Sequence, residues 1–95
     1  MRVVFDAKAL QDLEGIFDWI AQDSAANARG VIERILASAE RLGSFPEMAR
    51  AGRVAGTREW VVPRLPYIVV YEVHRERDEL VVTAVFHGAR DREGL

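Results

Sequence analysis

His87, Gly88, Ala89 and Arg90 stand consecutively near the C-terminus. An imidazole titrating near neutral pH suits general acid or base work. A glycine beside it lets a backbone or substrate come close, and a guanidinium offsets negative charge developing on a phosphate. Arg58 adds a second rigid fork, suited to phosphate or carboxylate. Each has a plainer reading, and spacing alone favours it: a capping histidine at a strand end and a cross-strand salt bridge at Arg58. Tyr67 and Tyr71, four apart, share one face of a strand. They are either a stacking platform for a base or ordinary core residues. Trp19 and Trp60 are either partner contacts or core.

Charge narrows the classes. The 95 residues carry a net charge of −2, which argues against a bulk nucleic-acid binder. Residues 43–71 nevertheless hold Arg50, Arg53, Arg58 and Arg64 against only Glu47 and Glu59, whereas the flanking segments are acidic. Lys8 is the sole lysine, a bias that fits a genome writing arginine for lysine. Cysteine is absent, excluding disulfides and thiolate metal sites. No metal motif, Walker loop, nucleophile elbow or paired-carboxylate site is present, so no cofactor is expected. No apolar run approaches the roughly 18 residues that span a bilayer. The expectation is a single soluble, cytoplasmic domain over 1–95 with no membrane contact.

The elements that must position these residues follow from periodicity. Val3–Phe5 reads as a short strand, with Asp6 as N-cap of a helix from Ala7 to about Gln22. Leu10, Leu13, Phe17 and Ile20 form its apolar stripe. Asp23-Ser24 caps a second helix, Ala25 to Leu42, which Gly43 stops. The short connection makes an antiparallel hairpin, and Gly30 inside the second helix suggests close packing on the first. Ser44–Gly56 reads as a loop. Three strands follow, Thr57–Val62, Tyr67–Val73 and Leu80–His87, the middle one apolar on both faces and so central. The fold class is α+β, in the order β-α-α-β-β-β, with a helix hairpin on a small, mainly antiparallel sheet.

This layout, together with Phe45-Pro46, the Arg50–Arg53 stretch, Gly56-Thr57-Arg58-Glu59, Pro66-Tyr67-Ile68-Val69-Val70-Tyr71 and His87-Gly88-Ala89-Arg90, resembles the RelE/ParE superfamily of bacterial toxins over nearly the whole chain. The resemblance implies the toxin of a type II toxin–antitoxin pair. It implies neutralisation by a cognate antitoxin, a toxin–antitoxin hetero-oligomer, and contact with operator DNA only through the antitoxin. RelE-like members cut messenger RNA on the ribosome and resemble one another in an arginine before the apolar-Val-Tyr stretch. Here that position is Ile68, which favours the ParE-like branch and inhibition of DNA gyrase by protein contact. The ribosome-dependent endoribonuclease is the alternative, with Arg58, His87 and Arg90 as its catalytic candidates. Target-contact candidates are Arg50, Arg53, Arg58, Arg64, Tyr67, Tyr71, His87, Arg90 and Arg92. Antitoxin-contact candidates are Trp19 and Trp60.

Overall fold

A computed structural model describes residues 1–91. Strand β1 (Arg2–Phe5) leads into helix α1 (Ala7–Ala21), and helix α2 (Ala25–Ser44) returns antiparallel to it. The capping residues are those the sequence advertises. The Asp6 carboxylate accepts the Ala9 N–H at 2.9 Å, and the Ser24 hydroxyl accepts that of Asn27 at 3.1 Å, each satisfying a helix-terminal donor. Then come β2 (Arg50–Ala51), β3 (Arg58–Val61), β4 (Tyr67–His74), a single 3-10 turn (Arg75–Arg77) and β5 (Glu79–His87).

These strands form one five-stranded sheet in the order β1-β5-β4-β3-β2, with only the β1–β5 pair parallel. The apolar strand β4 is therefore central. Both helices cover one face, and Leu13, Ile16, Ile35, Ala39 and Leu42 meet Tyr67, Val69, Tyr71, Leu80, Val82 and Val85 there.

Several expectations are corrected. Ser44–Gly56 is not all loop, because Arg50 and Ala51 pair with Glu59 and Arg58 as β2. A two-residue strand has no periodicity to betray it. The buried stripe of α1 is Ala9, Leu13 and Ile16, while Leu10 is half exposed. Asp12 turns toward the sheet instead, and its carboxylate accepts the Val85 N–H at 2.9 Å. That bond caps the half of β5 that runs beyond its pairing with β1. Thr83 is an extra residue in β5, since Val70 faces Ala84 but Tyr71 faces Val82. This bulge moves the inward phase from Leu80 and Val82 to Val85. The run Leu80–Phe86 conceals it by being mostly apolar in both phases.

The two glycines of α2 exchange roles relative to expectation. Gly30 has open space where a Cβ would stand, so it does not serve close packing. Gly43 does not stop α2, which continues to Ser44 and is capped by Phe45. A Cβ on Gly43 would lie 2.8 Å from Val3 Cγ2 and 2.9 Å from the Met1 carbonyl oxygen, and its own carbonyl accepts the N-terminal ammonium at 2.9 Å. Gly30→Ala is therefore expected to stabilise the fold by about 0.5–1 kcal/mol. Gly43→Ala is expected to destabilise it by about 1–3 kcal/mol through overpacking. Denaturant midpoints of the two variants check this opposite pair.

Candidate functional site

The C-terminal end of β5 builds a closed turn. Once β5 ends at His87, the His87 N–H has no strand partner and donates to the Asp91 carboxylate at 2.8 Å. The Asp91 N–H returns to the His87 carbonyl at 2.9 Å. The His87 Nδ1 accepts from the N–H groups of Arg90 at 2.9 Å and Ala89 at 3.3 Å, so the neutral ring carries its proton on Nε2. The ring meets Tyr67 edge-on at 5.5 Å. Gly88 N–H donates to the Pro66 carbonyl, and a Cβ there would come within 3.1 Å of Ile68. The glycine thus serves the turn's own packing.

Arg90 leaves this turn for α1. Its guanidinium lies 5.0 Å from the Trp19 ring, a cation–π contact worth about 0.5–1 kcal/mol at an exposed site. Trp19 is 57% exposed, so it holds the turn while still offering its remaining surface to a partner. Arg92 and the rest of the C-terminal tail lie outside the described residues.

The Asp91 carboxyl sits below its usual range, chiefly because it accepts the His87 N–H, with Arg90 adding to the effect against a smaller opposing burial. A carboxyl lowered in the folded state contributes stability above its ordinary pKa and loses it as pH falls through the lowered value. The turn is therefore expected to loosen in acid. The His87 amide resonance should shift, and its exchange quicken, as Asp91 protonates, and Asp91→Asn should abolish the acid transition.

Two arginines of the middle segment, Arg50 and Arg53, are held by one carboxylate. Glu59 is 5% exposed, on the sheet face turned away from the helices. It accepts the Arg53 backbone N–H at 3.0 Å and pairs with the Arg50 guanidinium at 3.3 Å. A tight turn closes the loop, with Thr57 donating through both N–H and hydroxyl to the Val54 carbonyl and Gly56 at φ 84°. Arg50 and Arg53 remain exposed at its rim. Arg58 projects to the helix side and donates to the Ala49 carbonyl at 2.8 Å. Arg64 stands exposed in the β3–β4 turn at φ 64°. Trp60 packs half-buried against the core.

Two target-contact candidates are corrected. Tyr71 is fully buried, and its hydroxyl donates to the Pro46 carbonyl at 2.7 Å; desolvation pushes its pKa up. Tyr67 is 4% exposed. Both are core residues beneath the helices, so neither offers a stacking platform. The three catalytic candidates do not converge. Arg58 is registered opposite Tyr71 and His87 opposite Tyr67, four residues apart along β4 or about 13 Å, on strands flanking β4 from opposite sides. The opposite sheet face, turned away from the helices, presents a pocket of about 360 Å³. Its lining combines Arg53 with Glu59 and Glu72, beside Val70 and Ala84.

Glu59, Asp91 and Asp12 are the organising residues that sequence reading missed. Alternation does place Glu59 opposite Trp60, but nothing in the pattern announces its burial. The spacing of Asp91 four residues after His87 was an available signal for the turn.

Residues 3–92 match the family model described as the ParE toxin of the type II toxin–antitoxin system, parDE. Toxin RelE2 of Caulobacter vibrioides is 34% identical over 90 residues, covering 94% of this chain and 97% of its own. Y4kP of Sinorhizobium fredii is 33% identical over 81 residues, covering 85% and 84%. Among solved structures, the chromosomal ParDE system of P. aeruginosa aligns with a TM-score of 0.80 at 20% identity, covering 92% of this chain and 95% of that one. The E. coli RelBE toxin–antitoxin complex aligns at 0.69 and 18% identity, covering 94% and 98%. At such identities these two likenesses carry the fold.

Proposed function

The chain belongs to the ParE toxin family of type II toxin–antitoxin systems, and from that premise we propose that it inhibits growth by binding DNA gyrase, without covalent chemistry of its own, and is neutralised by a cognate antitoxin. One observation carries the choice of contact over catalysis. Cleavage of RNA at a 2′-hydroxyl needs a base and a charge-offsetting group around one phosphate. Here Arg58 is bound to the Ala49 carbonyl, His87 Nδ1 accepts two backbone N–H groups, and Arg90 lies over Trp19. Arg58 and His87 stand on strands either side of β4, four residues apart along it, so they do not frame one phosphate.

The contact surface in this reading is the Arg90 end of the C-terminal turn together with the exposed rim arginines Arg50 and Arg53. Purified chain added to gyrase and relaxed plasmid should suppress supercoiling in a dose-dependent way, and the antitoxin should restore it. Full supercoiling at saturating chain, with codon-phased cleavage of ribosome-bound messenger RNA, would replace this reading by the nuclease one.

A further inference from the structure

Thr83 is the residue of β5 that has no partner on β4. In regular alternation Thr83 and Ala84 would face opposite sides of the sheet. The bulge instead brings both into the lining of the pocket of about 360 Å³ on the face away from the helices. Val70 lies beside them, registered between Ala84 on β5 and Glu59 on β3. Bulges that re-aim a side chain are over-represented next to functional sites. The volume falls within the range of small-ligand pockets, about 300–1,000 Å³.

The polar groups of this lining are mostly acceptors. Thr57 spends its hydroxyl proton on the Val54 carbonyl at 2.6 Å, and Thr83 directs its own at the Val70 carbonyl at 3.5 Å. Each hydroxyl oxygen therefore offers lone pairs only. Glu72 Oε1 lies 2.9 Å from His74 Nε2, and Oε2 has no partner among the described residues. Glu59 is engaged by the Arg50 guanidinium and the Arg53 N–H. Among the described residues, Arg53 is the single cation of the lining against two carboxylates, and it stands exposed at the rim. Val70 and Ala84 supply apolar surface between the acceptors. Such a pocket suits a flat, donor-rich cation on an apolar stem, which describes an arginine side chain.

We propose that this pocket receives an arginine side chain of the chain's protein target. The inference rests on the reading of the chain as a toxin that acts by contact, and it names the group the target inserts. Arg53 belongs both to the pocket lining and to the exposed rim of that contact surface, so the two are continuous. The guanidinium fork meets the Glu72 carboxylate, its remaining N–H groups face the Thr57 and Thr83 oxygens, and its stem lies on Val70 and Ala84. Lysine, a compact and strongly hydrated charge with three donors, matches this spread of acceptors less well.

The test has two arms, both on the purified full chain. In the first, N-acetyl-arginine amide is titrated in and amide resonances are followed. Those of Glu72, Thr83 and Ala84 are expected to shift, with a dissociation constant on the order of millimolar. The citrulline counterpart, of the same shape without the charge, should leave them in place. Glu72→Gln removes the charge while keeping an acceptor for His74, and Ala84→Leu fills the pocket. Each is expected to weaken probe binding on the order of tenfold. In the second arm, each should raise the chain concentration that half-inhibits gyrase supercoiling by a similar factor. Melting temperatures separate binding from folding, and Glu72→Gln, at a partly exposed side chain, keeps the test decisive if Ala84→Leu unfolds. A parent chain that ignores the probe, or variants that bind it equally well, would overturn the inference and leave the gyrase reading to its own assay. Weakened probe binding with unchanged gyrase inhibition would assign the pocket to a free guanidinium compound and overturn the choice of a protein side chain. Absence of gyrase inhibition by the parent chain would overturn the reading on which the inference rests, whatever the probe does.

Discussion

Tyr71→Ala is expected to cost about 3–5 kcal/mol, enough to leave much of the chain unfolded at 37 °C if total stability lies near the lower end of about 5–15 kcal/mol. The side chain is fully buried at the centre of β4, where α2, β3 and β5 all converge. Its hydroxyl donates to the Pro46 carbonyl, fastening the segment that follows α2 to the middle of the sheet. Tyr71→Phe keeps the ring and removes only that bond, at about 1 kcal/mol. Because burial raises the phenol's pKa, its contribution is complete below the ordinary value and is lost as pH rises through the raised one. The phenylalanine variant should lack that alkaline limb. Urea midpoints of the three proteins, measured at neutral and alkaline pH, check both parts.

Glu59→Ala is expected to release the arginine loop. Its carboxylate holds the Arg53 N–H and the Arg50 guanidinium, and β2 is only two residues long, so beyond the turn bonds of Gly52 and Thr57 this carboxylate is what ties residues 50–53 to β3. Removing the acceptor leaves a backbone donor without its partner, at about 1–3 kcal/mol. The exposed guanidinium of Arg50 is solvated and adds little. Since about 1.4 kcal/mol is tenfold in an equilibrium, trypsin should cut after Arg50 and Arg53 about tenfold faster while β4 and β5 stay protected. An unchanged cleavage rate would mean that the turn closed by Thr57 and Gly56 suffices.

The helix hairpin, the central strand and the final hairpin were legible in the residues, because 3.6- and 2-residue periodicities report burial directly. Ser24 and Asp6 announced their helices by type and position. Strand β2 was illegible, since pairing of Arg50 with Glu59 is decided by a strand nine residues away. The bulge at Thr83 was hidden by apolar residues on both faces. Gly43 read as a terminator because its actual constraint, the close approach of Met1 and Val3, is tertiary. At the candidate site, His87 and Arg90 stood out as near neighbours in sequence. Their partners Asp91 and Trp19 required the fold, because Trp19 reaches Arg90 only when α1 lies across the sheet. Tyr67 and Tyr71 share a face as expected, but that face is the one the helices cover.

Brief induction of the chain without antitoxin distinguishes binding without chemistry from cleavage. Messenger RNA ends and gyrase-linked DNA breaks are read from the same culture, for the parent and for His87→Ala. DNA breaks and no new RNA ends are expected in the parent, with growth inhibition by His87→Ala reduced only to the extent that His87 touches the target. Codon-phased RNA ends without breaks, lost by a factor on the order of 100 or more in His87→Ala, would contradict it.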